Sequence, residues 1–449
     1  MTANLVDRYA RPVPRYTSYP TAPQFGPEVN GATYESWLRD VEPGSTLSLY
    51  LHIPFCDRLC WFCGCHTKQV LRYDPIAAYL GSLHREIELV SSHLGDRATV
   101  TAIHLGGGSP SMLAPDDMAS LGGLLRRRFN VSPSAEISIE IDPNDMNDGR
   151  YDGMAALGVT RASIGVQDFD HQVQVAINRT QTFEQTAAVV QRMRADGVRS
   201  VNLDVLYGLP HQTIDKLSAT IEQALSLEPD RLALFGYAHV PWMKTHQRMI
   251  DETALPGTQR RFEQARSAAA TIVAAGYMPI GIDHFAKPSD SLARAARSGR
   301  LHRNFQGYTT DDAVSLIGLG ASSIGQLLQG YVQNITPTGE YRKAVDQGIL
   351  PTARGIALTT EDKARAFVIE RLMCDFAVSL PVISERFPEH AAAIIEEMRT
   401  AVSVDQDGIV ELQNDVFALT PTGRPFVRSV AAGFDTYLQR GEVRYSIAV

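Results

Sequence analysis

The chain has 449 residues, 44% of them hydrophobic and 20% charged, and its 42 Lys and Arg against 50 Asp and Glu leave a net charge of −8. This is the composition of a folded protein of roughly three domains, which excludes a disordered chain and a small disulfide scaffold. The acidic balance argues against a nucleic-acid partner, which needs a dense basic face, while small anions can still be held in local basic pockets.

The first 46 residues are rich in Pro and Tyr, among them Pro12, Pro14, Tyr16, Tyr19, Pro20 and Pro23. They are too stiff and aromatic for a flexible linker and are expected to pack as an arm or lid. Charges and prolines stand where a secretion signal would carry its apolar core, and no apolar run reaches the ~18 residues of a bilayer span. The expectation is a cytoplasmic protein without a membrane partner.

From Leu47 to about Phe285, apolar β-branched runs alternate with longer segments of helical period, the pattern of repeated βα units on a parallel sheet. The predicted strands are Leu47–Ile53, Thr101–Leu105, Glu136–Ile141, Arg161–Val166, Ser200–Leu206 and Arg231–Tyr237, with Met278–Asp283 as a candidate seventh. Between the fourth and fifth, Phe183, Ala187, Val190 and Arg194 fall on one helical stripe, Arg194 through its aliphatic stem. Polar residues and glycines sit where strands end: Cys56, Gly106–Ser109, Glu140, Gln167, Asp204 and Ala238–His239. A βα barrel builds its active site in this way. Beyond residue 360, helical stretches at Lys363–Cys374 and Ala391–Val402 and a Gly-centred hairpin candidate at Asp405–Leu412 mark a small separate domain. The expected division is an arm at 1–46, a barrel at 47–285, an extension on the substrate side at 286–360, and a mainly helical C-terminal domain at 361–449.

Four of the five cysteines, Cys56, Cys60, Cys63 and Cys65, crowd into ten positions directly after the first predicted strand. That spacing is poor for disulfides that close long loops and good for thiolates around a metal centre in a reducing compartment. Two centres suit it: an iron–sulfur cluster on the three thiolates of CxxxCxxC, with one iron left without a protein ligand, or zinc on all four. Cys374 stands alone and reads as a buried small hydrophobe. Gly106-Gly-Gly-Ser109 ends the second strand, where residues without Cβ allow close approach to the backbone. Glu140, Gln167 and Asp204, with Arg179 in a following loop, extend these into a ring of polar groups at consecutive strand ends.

The cysteine loop resembles the signature of the radical S-adenosylmethionine enzymes, and Gly106–Pro110 resembles their GGGTP element, with Ser109 keeping the hydroxyl of Thr. Three further segments, Arg15–Thr21, Gly281–Ala286 and His302–Thr310, extend the resemblance over nearly the whole chain to the oxygen-independent coproporphyrinogen III oxidases. Trp61 stands where an aromatic such as Tyr is usual. The resemblance implies an α/β fold, a radical S-adenosylmethionine partial (β/α)6 TIM-like barrel with an N-terminal arm and a small mainly helical C-terminal domain. It implies one 4Fe-4S cluster on Cys56, Cys60 and Cys63, and two S-adenosylmethionine molecules. Their contacts would fall on Tyr50, Phe62, Cys65, Gly107, Gly108, Ser109, Glu140, Gln167, Arg179, Asp204, Ala238 and Ile324.

The implied reaction is oxidative decarboxylation of two propionates of coproporphyrinogen III to vinyls by a 5′-deoxyadenosyl radical. The implied electron donor is a protein such as flavodoxin or ferredoxin, and the implied state is a monomer. The four substrate carboxylates call for fixed cations despite the net charge. Candidates on the substrate side are Arg15, Tyr16, His284, Arg303, Gln306 and Thr309, with Lys287 as a further cation and Tyr19 as a further aromatic; the cations could equally be solvated charges or structural pairs, and Tyr16 and Tyr19 either cover the tetrapyrrole face or fill the arm's own contacts. Two other readings are a haem-binding chaperone and another radical enzyme acting on a tetrapyrrole. The chaperone class usually lacks the Arg15–Thr21 and His302–Thr310 segments, both present here.

Overall fold

The computed structural model describes residues 3–438 and Tyr445. Its centre is one twelve-stranded sheet. In chain order the strands are β1 (Ser45–Ile53), β2 (Ala98–Gly107), β3 (Asn130–Ile141), β4 (Arg161–Gln167), β5 (Ser200–Tyr207), β6 (Arg231–Gly236), β7 (Met278–Ile280), β8 (His284–Ala286), β9 (Ser315–Leu319), β10 (Ile324–Leu327), β11 (Gly330–Asn334) and β12 (Thr352–Ala357). Their order across the sheet is β12-β11-β10-β9-β1-β2-β3-β4-β5-β6-β8-β7. From β9 to β6 every pairing is parallel. β6 and β9 are not neighbours, so the sheet curls without closing.

Between the parallel strands run α1 (Asp74–Leu94), α2 (Pro115–Arg128), α3 (Asp148–Leu157), α4 (Phe183–Ala195) and α5 (Ile214–Ser226), and α6 (Thr258–Ala274) follows β6. Leu47, Leu49, Leu51 and Ile53 of β1 meet Val100, Ile103 and Leu105 of β2 and the inner faces of these helices in one continuous core. Helix starts follow from their caps. The Thr182 hydroxyl accepts from the Gln185 N–H while the Gln185 side chain accepts from the Thr182 N–H, closing a capping box at α4.

Two sequence expectations are corrected here. Met278–Asp283 is not a seventh parallel strand, because β7 and β8 form an antiparallel edge on β6. The seventh parallel strand is β9, five fully buried residues beside β1; no helix follows it, so the βα alternation carries no mark of it. On α4 the buried face is Thr186, Val189, Val190 and Met193, and Arg194 is exposed, donating to the carbonyls of Leu227 and Glu228 instead of packing its stem.

The C-terminal region combines α7 (Thr360–Asp375) and α8 (Pro388–Val404) with a three-stranded antiparallel sheet of Ala377–Ser379, Val416–Leu419 and Val410–Gln413. The hairpin turn is Asn414-Asp415, both at positive φ, and not Gly408. The Asp405 carboxylate accepts from the N–H groups of Asp407, Ile409 and Val410, which makes the Gly408 segment a separate capped turn. The start of the chain joins this region, since Leu5, Val6, Tyr16 and Tyr19 share a core with residues of α7 and α8. Among the described residues, no helix is long and apolar enough to cross a membrane.

Candidate active site

Because β9 and β1–β6 run in parallel, their C-terminal ends share one face of the molecule, and the residues singled out at strand ends gather there. The cysteine loop leaves β1 and is held from three sides. Close to the strand, the N–H groups of Lys68 and Val70 donate to the carbonyls of Pro54 and Cys56 at 2.6 and 2.9 Å. In the middle, the Trp61 N–H donates to the Ile177 carbonyl at 3.0 Å and the Asn178 amide donates to the Leu59 carbonyl at 2.9 Å. At the far end a strap after β6 takes over. Gln247 Nε2 bridges the carbonyls of Phe62 and Ala238 at 3.0 and 3.1 Å, His246 Nε2 donates to the Cys63 carbonyl at 2.7 Å, and Lys244 Nζ donates to the Cys65 carbonyl at 2.9 Å.

The thiols differ in state. Burial, reinforced by Cys63 and Cys60, pushes the Cys56 thiol up; burial also pushes Cys60 up, against the opposing charge of Arg179. Cys63 goes the other way, to about 7, because Cys65 donates to its sulfur and Lys244 lies near. Arg179 binds the ring together. Its guanidinium lies 2.8 Å from Asp142 and donates to Cys60 Sγ at 3.7 Å, to the Gly165 carbonyl at 3.1 Å and to Gln181 Oε1 at 3.0 Å. Gln167 sits at φ 65 and lays its amide over Gly165 beside Arg179. Among the described residues no three His, Cys, Asp or Glu side chains converge closely enough to hold a single metal ion.

The glycine segment explains itself through the chain's own contacts. A Cβ on Gly107, which sits at φ +110, would stand 2.4 Å from the His52 ring, and one on Gly108 would stand 2.5 Å from the Phe55 carbonyl. The Gly108 and Ser109 N–H groups donate to the carbonyls of Ile53 and Phe55, so the segment locks the strand end from which the cysteine loop departs. His52 is fixed in turn: Nε2 donates to the His66 carbonyl at 2.9 Å and Nδ1 accepts from the Tyr50 hydroxyl at 3.0 Å. Tyr50 stacks on His104. Ile324 on β10 presses its carbonyl against Gly318, the register partner of Tyr50.

Two cavities adjoin these elements. The first, about 170 Å³, lies in the lumen and takes Ser138, Glu140, Ser163, Asp204, His284, Gln306 and Thr309 into its wall. Glu140 accepts from the Gly107 N–H at 3.0 Å; burial works to raise its carboxyl, but His104 and that N–H outweigh it and hold it below the usual carboxylate range. Asp204 accepts from Ser163 at 2.9 Å and Asn202 at 2.8 Å, and burial still raises it.

The second cavity, about 360 Å³, opens beyond β5 and β6 and is lined by Arg15, Arg261, Arg266, Arg303, Arg424 and Arg428 around the carboxylate of Asp283. Arg428 donates to the carbonyls of Val13 and Pro14, fixing the arm so that Arg15 enters the cavity. Burial and the neighbouring charges of Arg15 and Arg303 push Arg428 down to about 9. Burial also lowers Arg15, while Asp283 is held below its usual range because His284, Arg303 and Arg15 outweigh its desolvation.

Three sequence candidates fall elsewhere. Tyr16 is buried and its hydroxyl donates to Asp435 at 3.1 Å, so it fills the arm's own contacts, as Tyr19 does against Thr436. Lys287 lies at the opposite end of the barrel, its N–H on the Asp230 carbonyl ahead of β6 and its ammonium on the Glu228 carbonyl. Cys374 packs in a small core with Ile280 and Tyr308. The strap residues Lys244, His246 and Gln247 and the cavity residues Arg261 and Arg428 escape sequence reasoning. The first act on carbonyls about 180 positions away, and the second show no motif.

The Radical SAM superfamily model matches residues 50–224 and the HemN C-terminal domain model matches residues 358–426. The chain is 48% identical to the oxygen-independent coproporphyrinogen III oxidase of Bradyrhizobium diazoefficiens over 450 residues, 100% of each chain. It is 40% identical to the enzyme of that name from Pseudomonas aeruginosa over 440 residues, 97% of this chain and 96% of the relative. Among solved structures it is similar to the coproporphyrinogen III oxidase of Escherichia coli, a radical SAM enzyme. The TM-score is 0.90 at 37% identity, with 94% of this chain and 97% of that one covered.

Proposed function

The chain belongs to the oxygen-independent coproporphyrinogen III oxidase family, and we propose a site for that activity in which the cysteine loop and the arginine cavity face one another across the barrel mouth. It is a radical S-adenosylmethionine oxidoreductase that removes two carboxyl groups from coproporphyrinogen III, turning two propionates into vinyls. What supports the site is that the cysteine loop and the arginine-lined cavity adjoin one strap, since Gln247 bonds the carbonyls of Phe62 in the loop and of Ala238 in the cavity wall.

The donor set fits an iron–sulfur cluster: Cys56, Cys60 and Cys63 are close enough to perturb one another, and Arg179 offers an N–H to a sulfur. Held by these residues, a cluster with S-adenosylmethionine would supply the radical chemistry that removes hydrogen from a propionate. The chain's own part is placement and shielding, because a primary carbon radical attacks almost any C–H bond. Arg179, anchored on Asp142, fixes the Cys60 side of the loop, and the Lys244–Gln247 strap fixes the Cys63 side. Glu140, kept charged by His104 and the Gly107 N–H, presents a carboxylate to hydroxyl or ammonium groups of a ligand in the lumen. Arg15 and Arg303 meet carboxylates entering from the second cavity.

The finer reading keeps two S-adenosylmethionine molecules, with contacts at Tyr50, Phe62, Cys65, Gly107, Gly108, Ser109, Glu140, Gln167, Arg179, Asp204, Ala238 and Ile324. It keeps His284, Gln306 and Thr309 on the substrate side, a flavodoxin- or ferredoxin-like donor, and a cytoplasmic monomer. In it, residues 1–46 are the arm, 47–285 the barrel, 286–360 the extension and 361–449 the C-terminal domain, of which 439–444 and 446–449 lie outside the described residues. The test is anaerobic reconstitution with iron and sulfide, then reductant, S-adenosylmethionine and coproporphyrinogen III. Loss of two carboxyl groups with matching 5′-deoxyadenosine is the expected result. Binding of the tetrapyrrole without change of mass on an intact cluster would make the protein a carrier.

A further inference from the structure

The larger cavity concentrates six arginines around a single carboxylate, Asp283, in a chain whose net charge is −8. Arg428 is committed to the carbonyls of Val13 and Pro14, and Arg303 lies over the Tyr308 ring and donates to the Arg15 carbonyl at 3.4 Å, but other guanidinium N–H groups in the cavity wall lack an acceptor. Arg303 is almost wholly buried, at 4% side-chain exposure, yet its Nε and Nη1 have no hydrogen-bond partner, and Asp283 stands 4.0 Å from it. Arg261 donates to the Tyr237 carbonyl at 2.6 Å but leaves its buried Nε without a partner. Arg15 gives one bond, to the Gly236 carbonyl at 3.0 Å, and turns the rest of its fork to the cavity. Buried donors without acceptors are costly, and a carboxylate bound in the cavity would give the guanidiniums that line it charge-assisted partners.

The lumen cavity has the opposite character. Glu136, Glu140, Asp204 and Asp311 line it, and Arg161 there is already engaged by Glu136 at 3.0 Å. It suits a cationic ligand better than another carboxylate.

We propose, resting on the function assigned above, that Arg15, Arg261 and Arg303 bind the propionates that the enzyme retains and not those that it removes. A carboxylate that departs as CO2 gives up its charge, so guanidinium partners stabilise it where it stands and oppose its departure. A retained propionate has no such conflict. Substrate, singly decarboxylated intermediate and product all carry the retained pair, so one anchor serves both turnovers. Regioselectivity then follows from the anchor and not from recognition of the reacting side chains.

The test uses the full-length, cluster-reconstituted enzyme without S-adenosylmethionine, kept anaerobic. Binding of coproporphyrinogen III, of protoporphyrinogen IX and of the protoporphyrinogen dimethyl ester is measured by equilibrium dialysis, with the free ligand oxidised and read by fluorescence. Wild type is expected to prefer the free acid to the ester. Arg15→Gln and Arg261→Gln should each weaken both free acids by about tenfold or more and erase the preference over the ester. Arg15→Lys should recover part of the loss, and unchanged iron content and S-adenosylmethionine binding show that the variants are folded. Weakening confined to coproporphyrinogen III would overturn the proposal, since the arginines would then hold the propionates that leave. No weakening of either acid would overturn it by making the arginines structural. Failure of the wild type to bind either acid would instead sink the functional reading itself, and the proposal with it.

Discussion

Cys56, Cys60 and Cys63 lie within eight consecutive residues and leave a single strand, whereas Arg15, Arg261, Arg303 and Arg428 come from the arm, α6, the His302–Thr309 hairpin and the C-terminal region. The thiols are arranged by local covalent spacing and then immobilised by bonds to their backbone carbonyls. The guanidiniums meet only because the arm and the C-terminal region fold back over the barrel mouth, with Arg428 gripping the carbonyls of Val13 and Pro14. Chemistry that needs a fixed inorganic centre is written in one loop. The arginine cavity, proposed above to receive the polyanionic substrate, is assembled from distant segments, where each cation can be placed independently.

The sharpest way to break the comparison is at the loop. Cys60→Ser should abolish cluster retention and turnover together, read as iron per chain and 5′-deoxyadenosine formed. Iron and activity at wild-type levels would remove Cys60 from the ligand set. Beneath the loop, Gly107→Ala should cost about 1–3 kcal/mol from the backbone conformation alone, with displacement of His52 in addition. A thermal melt should show a fall of several degrees, and iron loading should drop with it. An unchanged melt would mean that the loop does not depend on its packing against the glycines.

On the cavity side the expected effects are gentler. The hairpin that carries Arg303 is tied to α7 by His302 and Glu370 at 3.1 Å, and the Glu370 hydrogen bond raises the His302 pKa above its ordinary 6.5. A raised histidine pKa means that the folded state binds the proton more tightly, so this stabilisation is full below pH 6.5 and is lost as pH rises through the raised value. His302 is partly exposed, which limits the pair to under about 1 kcal/mol. The melting-temperature advantage of wild type over His302→Gln should therefore be greatest at acid pH and shrink toward alkaline pH. A constant difference would show that the contact is steric and not ionic.

The same contrast explains what could be read beforehand. Strands β1–β6 announce themselves because strands covered on both faces read as apolar runs separated by helical period. β9 does not, being a five-residue run with no helix after it, and β7 reads as a candidate seventh core strand because an edge strand of Met-Pro-Ile looks much like a short core strand. The cysteine and glycine segments were legible since their function depends on residue type at fixed spacing. For Tyr16 and Lys287 the sequence leaves two roles open, because a position inside or beside a matching segment does not say which way the segment faces: Tyr16 turns to Asp435 and Lys287 sits at the far end of β6. Lys244, His246 and Gln247 were invisible for a different reason, since any donor of suitable length can reach a backbone carbonyl and no pattern marks it.

The most direct test of the account follows a single atom. Coproporphyrinogen III carrying deuterium at its propionate β-carbons would be turned over anaerobically, and the 5′-deoxyadenosine analysed by mass. One deuterium in 5′-deoxyadenosine for each carboxyl group lost is the predicted result. Decarboxylation with deuterium-free 5′-deoxyadenosine would contradict the account, because hydrogen would then leave the substrate by a route other than the radical that the barrel is built to hold.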